Sequence, residues 1–570
     1  MPSPFDTADS PLLLEEVNYV TGGYVTNTES HLLTPDQAVR LLNIDPTVAG
    51  RRQKRLGPDP IGSAGLGNPN GLHAFHAPQQ DLRLLAGNWG SELFTTPGND
   101  DVWTRRASQV SFANTLYLGL QGRGRAALPT LYLASCVAVT DNVSLPYAKL
   151  VAVDAFLSDA TSVTELAVRP RSISWFQSRL WGFNSGVSGP DYLFWSAPFD
   201  GRDFSNGQTV QIGPDDGQEG VAIVPMRDGT PRLMLFKERA IYQLEIYWAT
   251  DGYYPTTANS LDFTKSLLRP ISLNTGCVGT QALCWTPGQE NADLLFLSRE
   301  GIRSLKRSLT DAQGGAGPPL SFRIQPTIDR INWAQAHRTV AAFWNDKAYF
   351  SLPVDGATKP NFVLAYDVNR DSFYELDFNV SSWAEAKIGN ERSFFFQGSS
   401  SGTEIGYGAN GSGATNGYHV YKTDVGLSDP FGQPIQYEEQ TRAFTFDTAQ
   451  PQGSGLRYKK KWSHIELAIQ SAATHCTLTI SYKVDEDDSW SDLDYLYINP
   501  EDGYPYLPVQ LPFGFSIGKV LNRSRLLREV RPGYKIQFRI KDSNSFARLK
   551  IISLRCGAFA QNPKYGNVRL

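Results

Sequence analysis

Between about residue 72 and residue 430, apolar and polar residues alternate in short runs separated by turn residues. LRLLAGNWGSELFT (82–95), VSFANTLYLGL (110–120), LYLASCVAV (131–139) and AKLVAVDAFLS (148–158) follow one another at near-regular intervals. ISWFQSRLWGF (173–183), RLMLFKERAIYQLE (232–245), DLLFLSREGIRSLKR (293–307), AAFWNDKAYFS (341–351), NFVLAYDVNRDSFYEL (361–376) and RSFFFQGSSSG (392–402) continue the series. A period of two over such short lengths predicts strands, and their spacing predicts an all-β sandwich, barrel or propeller.

Two phrases recur. The segments at 173 and 341 both place apolar residues around a polar break, Trp175, Leu180 and Phe183 in one and Phe343, Ala348 and Phe350 in the other. Gln177-Ser178-Arg179 and Asn345-Asp346-Lys347 are turn-type residues that predict a hairpin in each. LMLFKERAIYQL (233–244) and LLFLSREGIRSL (294–305) share a second frame through Leu233/Leu294, Ile241/Ile302 and Leu244/Leu305, with Leu297 standing where the first copy has Phe236. Repeated small sheets cannot each bury an apolar face alone, and radial stacking solves that problem. The expected fold is all-β, a β-propeller of six to eight blades at about 40–50 residues per blade. Two unrelated sandwiches sharing hairpin grammar are the alternative.

The flanks read differently. Residues 1–71 are expected to form an N-terminal arm and platform segment. Within it Thr34-Pro35-Asp36-Gln37 has the form of a helix start, with a Thr cap, an early Pro and Gln three residues on, before AVRLLNI. Residues 72–434 form the propeller, and the Gly/Ser/Asn-rich run 399–417 reads as a mobile loop. Residues 435–570 form a C-terminal β-sandwich-like platform domain through KKWSHIELAIQ, HCTLTISYKVDEDDSW, GYKIQFRIKD and ARLKIISLRCGAF. The Pro/Gly/Tyr-rich stretch 495–517 is expected to pack on a partner.

Composition adds constraints. Of 570 residues only 19% are charged, 12% are aromatic, and the net charge is −4. A low charge with many aromatics suits a surface covered by partners. The basic clusters Arg51–Arg55 and Lys459–Lys461 read as solvated faces or salt-bridge partners. The N-terminal text carries acids where a signal peptide would be apolar, and no apolar run reaches the ~20 residues a bilayer requires. Synthesis in the cytoplasm as a soluble chain is therefore expected. Five scattered cysteines, Cys136, Cys277, Cys284, Cys476 and Cys556, predict buried free thiols rather than disulfides or zinc.

Candidate chemistry is sparse. The seven histidines are dispersed, and His73 and His76 would suit a metal only on a helix, where the text reads strand and loop. No G-x-S-x-G, H-E-x-x-H or P-loop pattern occurs. Asp485–Asp488 lacks the glycine and glutamate of a calcium loop and reads as an acidic hairpin tip. Asp200 and Asp203 could form a glycosidase pair but read as a turn capping backbone amides. Trp89, Trp181 and Trp195 could stack on sugars, although blade cores use tryptophan in the same way.

Thr34-Pro35-Asp36-Gln37-Ala38 with Asn43, Gly50 and Arg55-Leu56-Gly57, the stretch NTGCVGTQALCWTPGQENADLLFLSREGIRSL (274–305) and the closing ARLKIISLRCGAF resemble the tail nozzle proteins of short-tailed bacteriophages. That group includes the packaged-DNA stabilisation protein and tail tubular protein B. The resemblance runs over nearly the whole chain through degenerate motifs. It implies a virion structural protein of the tail, made in the host cytoplasm and assembled as a ring, usually of six copies. The ring meets a tail adaptor and tailspike or fibre proteins, and its lumen conducts genomic DNA without sequence-specific binding. The family is structural, so no catalytic, cofactor or metal residue carries over and no enzymatic activity is expected. Gate-loop candidates are 399–417 and 495–517. An acidic or neutral lumen follows, because each neutralised phosphate would add grip, and Arg51–Arg55 is expected at a contact between proteins. The rival is a carbohydrate-binding or carbohydrate-cleaving propeller of a tail fibre or spike; a bacterial scaffold propeller is a third reading.

Overall fold

The computed structural model describes residues 12–17, 19–45 and 52–61, then the strands 69–77, 82–89, 92–96, 104–107, 115–119, 136–141, 150–153 and 164–165. It continues through 170–185, 189–198, 204, 209–214, 216–249, 260–288, 292–311, 318–377, 379–388 and 391–398. The last described segments are 420–429, 433–446, 456, 458–472, 476–498, 520–542, 546 and 548–560. The chain is all-β in many sheets and divides into two compact units, one of 59–365 and 378–423, the other of 1–58, 366–377 and 424–570.

The first unit is a succession of small antiparallel meanders. The first sheet is Pro69–Ala77, Leu82–Trp89, Glu92–Thr96 and Thr104–Ala107; the second is Thr115–Gly119, Cys136–Asp141, Leu150–Val153 and Thr164–Glu165. Pro170–Phe176, Arg179–Ser185, Gly189–Trp195 and Thr209–Gln211 make the third, and Gly220–Pro225, Arg232–Lys237, Ile241–Glu245 and Leu267–Ser272 the fourth. The fifth has Leu283–Trp285, Leu294–Ser298 and Gly301–Ser304, and the sixth contributes Val340–Trp344, Lys347–Leu352 and Phe362–Asp367. In the seventh, Val380–Ile388, Glu391–Gly398 and Val420–Gly426 are joined by Gly57–Ile61 from far upstream.

Both copies of the recurring phrase fold alike. Phe176 pairs with Arg179 and Trp344 with Lys347, across two-residue turns in which Gln177, Ser178, Asn345 and Asp346 all have φ between 46° and 62°. That is the left-handed geometry that matches strand twist. Arg179 and Lys347 lie beyond the turns, begin the return strands, and are buried. The second frame also superposes, since Phe236 pairs with Ile241 and Leu297 with Ile302, all fully buried.

Side-chain packing joins neighbouring sheets. Trp181, Trp195 and Trp248, each 0% exposed, form a cluster with Phe183, Leu193, Ile223 and Leu235 between the third and fourth sheets. Lys237 on the fourth sheet reaches back to both Asp216 oxygens at 2.8 Å and to the Gly213 carbonyl. Phe236 meets Phe296 on the fifth sheet at 5.3 Å. Between the sixth and seventh, Trp344 stacks on Phe394, which stacks in turn on Trp383 at 4.8 Å. The first strand of the seventh sheet lies against the first strand of the first sheet, where Ser382 Oγ accepts the Leu72 amide proton at 2.9 Å.

The second unit contains two sheets. One runs Ile44–Asp45, Arg52–Lys54, Arg548–Ala560, Lys460–Ala472, Val520–Leu526, with Leu12–Val17 also paired to Arg548–Ala560. The other runs Ser372–Leu376, Ala38–Leu42, Tyr437–Thr441, Ile536–Asp542, Cys476–Val484, Ser491–Ile498. Alternate residues of Ile536–Asp542 are buried, as one covered face requires. Strands from residues 12–54 and 372–376 thus complete a unit whose C-terminal strands alone are legible as a domain.

The expected helix after Thr34 is corrected. Its local bonds form, with Thr34 N donating to Gln37 Oε1 at 3.1 Å and Gln37 N to Thr34 O at 3.0 Å, but they close a single turn. Ala38–Leu42 then extends between Tyr437–Thr441 and Ser372–Leu376. A lone helix of that length is marginal, whereas a strand with two neighbours satisfies its backbone and buries Ala38, Leu41 and Leu42. The segment 399–417 lies outside the described residues; of 495–517, only the end of Ser491–Ile498 is described.

Candidate functional site

Two concentrations of charge stand out, one in each unit. In the C-terminal unit, Arg52 and Lys54 share a strand face and enter the core. Arg52 bonds Glu439 at 3.0 Å and the Val17 carbonyl at 2.6 Å, and the Tyr437 hydroxyl donates to the other Glu439 oxygen at 2.9 Å. Lys54 Nζ meets Asp542 at 3.0 Å. Arg55 bonds Asp377 and the Asn43 side chain, and Arg442 pairs with Glu15, which also accepts the Phe446 amide. Burial holds Lys54 below its ordinary pKa although Asp542 opposes the shift, and burial and then Glu439 push Tyr437 well up. Desolvation works against Glu438, yet the Gln440 hydrogen bond with Arg40 and Lys541 keeps it below the usual carboxylate range. The expectation that Arg51–Arg55 lies between proteins is therefore corrected: the Arg52, Lys54 and Arg55 side chains are consumed within this unit. Lys460 is likewise buried, donating to the Tyr534 carbonyl at 2.7 Å.

In the other unit, the first strands of successive sheets bring a mixed aromatic and charged rim together. Arg227 follows the first strand of the fourth sheet and lies over the Trp285 ring at 5.6 Å, at the end of the fifth sheet's first strand. Trp344 ends the sixth sheet's first strand and has the Arg392 guanidinium 6.0 Å from its centre. Arg392 Nε donates to Glu385, on the seventh sheet's first strand, at 2.7 Å. Arg227 is exposed, yet surrounding protein takes enough water from it to lower its pKa, with Glu385 opposing the shift. The sequence signal, unused above, is an aromatic at the close of a first strand: Phe176, Trp285 and Trp344.

The remaining candidates resolve plainly. Trp181 and Trp195 are core residues, and the Trp89 side chain lies outside the described residues. His73 and His76 both sit in the extended strand Pro69–Ala77, paired with Ala86 and Arg83. Asp200 and Asp203 lie outside the described residues. Asp485–Asp488 is a hairpin tip, where Asp485 accepts the Tyr534 amide at 2.6 Å, Glu486 pairs with Lys535 and Asp487 with Arg531. Cys277, Cys284, Cys476 and Cys556 are buried free thiols. Among the described residues no group of three or more His, Cys, Asp or Glu could hold a metal, and no helix is long and apolar enough to cross a membrane.

No protein-family model and no curated protein matches the chain. Solved structures do. A luciferin-regenerating enzyme matches at 10% identity and TM-score 0.31, over 65% of this chain and 96% of its own. The PQQ-bound aldose sugar dehydrogenase from Streptomyces coelicolor matches at 11% and 0.31, over 64% and 96%. A fructofuranosidase from Schwanniomyces occidentalis, complexed with fructosylnystose, matches at 8% and 0.23, over 89% and 97%. All three are enzymes, and the expectation of a chain without enzymatic activity is withdrawn on that finding. At these TM-scores the likeness assigns no reaction to this chain.

Proposed function

We propose that this chain is a virion structural protein, the nozzle of a short phage tail, built on a closed seven-bladed propeller. The observation that carries the reading is the seventh sheet. Its outermost strand, Gly57–Ile61, comes from before the meanders begin, and its first strand lies against the first sheet. Joining the two ends of the series in this way would close a wheel and leave only short outer edges. The second unit, woven from three chain segments and pinned by buried ion pairs, serves as the platform.

Copies associate side by side in a ring of six, attached to a tail adaptor and to tailspike or fibre proteins, with genomic DNA passing through the lumen. The fourth sheet's edge strand Leu267–Ser272 supports lateral association. Leu267, Leu268, Phe263 and Leu273 are all exposed on or beside it, an apolar patch that a neighbouring copy would cover. A net charge of −4 per copy opposes adhesion of the sliding polyanion. Light scattering and negative-stain imaging of the purified chain test this. Rings near six copies that fall to folded monomers in the Leu267→Glu/Leu268→Glu variant are expected; a wild-type chain that stays monomeric at micromolar concentration sinks the reading.

A further inference from the structure

Of the rim residues Arg227, Trp285, Trp344, Glu385 and Arg392, Trp344 also packs on Phe394 between the sixth and seventh sheets, and none of the five belongs to the edge strand Leu267–Ser272 that the ring would cover. Arg392 is committed to Glu385, and Lys422 beside it to Glu391 at 3.2 Å. Arg227 differs. Its Cζ lies over the Trp285 ring, 5.6 Å from the ring centre, and it has no hydrogen bond or ion pair among the described residues. Asp228 is occupied by the Thr230 backbone and hydroxyl and by Arg232 at 3.6 Å. An indole that supports a guanidinium by its face leaves the N–H fork unspent, and that fork matches a planar carboxylate in two parallel bonds.

We infer that this rim binds an acidic glycan, with the carboxylate of a sugar ring held by Arg227 and the sugar's apolar face against the half-buried Trp285. Glu385, exposed and within electrostatic reach of Arg227, accepts hydroxyl hydrogen bonds. The charge pattern selects this ligand over nucleic acid. Glu385, Asp228 and the exposed Asp346 place three carboxylates around two arginines. A duplex with a charge about every 1.7 Å meets repulsion there, whereas a glycan offers isolated carboxylates among hydroxyl donors. The inference is independent of ring assembly.

The test titrates the full-length chain with trigalacturonate, maltotriose and a short DNA duplex by calorimetry, while light scattering follows oligomeric state. Trigalacturonate is expected to bind saturably, once per chain, with maltotriose and the duplex failing to compete. Arg227→Gln is expected to weaken binding about tenfold or more with unchanged melting and unchanged oligomeric state. Arg227→Lys, which keeps the charge without the fork, should fall between. Trigalacturonate binding no tighter than maltotriose, an Arg227→Gln affinity equal to wild type, or displacement by the duplex would each overturn the assignment, and none of them bears on the ring.

Discussion

Replacing Lys54 by methionine removes one half of an ion pair sealed from water. The Lys54 and Asp542 side chains are 2% and 0% exposed, and their charged atoms are 3.0 Å apart. Desolvation outweighs the pull of Asp542, since the lysine pKa falls rather than rises. The pair as built therefore recovers less than burial takes from it. Lys54→Met takes the lysine charge from beside Asp542 at an expected cost of about 3–5 kcal/mol, and Asp542→Leu takes the carboxylate from beside Lys54 at a similar cost. For a unit of this size each corresponds to a melting shift of about 6–20 °C. The double variant Lys54→Met/Asp542→Leu should melt within a few degrees of wild type or above it. Differential scanning calorimetry of the four proteins measures this, and pH supplies a second arm. The folded-state pKa lies below the ordinary 10.5. Between those two values the unfolded chain holds a proton that the folded chain has released, so the contribution of this lysine to stability rises with pH. Any advantage of the double variant should narrow across that window. A double variant as unstable as the sum of its parents would refute the reasoning.

Other outcomes follow from single contacts. Trp181→Ala empties the cluster between the third and fourth sheets and should cost about 3–5 kcal/mol in urea unfolding. A Cβ at Gly276 would stand 2.0 Å from the Lys237 carbonyl oxygen, so Gly276→Ala should lower the melting temperature through an overpacking cost of about 1–3 kcal/mol, which circular dichroism can follow. Burial pushes the Cys277 thiol up to about 12, and Cys284 and Cys556 higher still. These three should resist Ellman's reagent at about pH 8 until the chain is unfolded; labelling of any of them in the native protein would count against the packing described.

The hairpins at 173 and 341 were legible because their information is local. Two turn residues and a period of two settle them without reference to the rest of the chain. The strand at 38–42 was not, because its partners are residues 375 and 438–441, and a distant neighbour outweighed a correct local cap signal. Arg52 and Lys54 show the same limit. Within RRQKR nothing separates a solvated run from a buried one, and Glu439 and Asp542 lie hundreds of positions away. One clue was present: on a strand, residues 52 and 54 share a face, and two cations side by side require acids opposite. The rim around Arg227 was missed because its members come from four sheets, and only a comparison of the recurring units at their turns brings Trp285 and Trp344 together.

The strand that finishes the seventh sheet reads Gly57-Pro58-Asp59-Pro60-Ile61. Prolines two apart send their missing N–H groups toward the same side, and that side cannot be the one bonded to Val420–Gly426. The outer margin therefore offers a would-be recruit no donors at positions 58 and 60. Wherever copies of the chain meet at high concentration, this margin guards against fibrous growth and leaves side-chain contacts to govern how they associate.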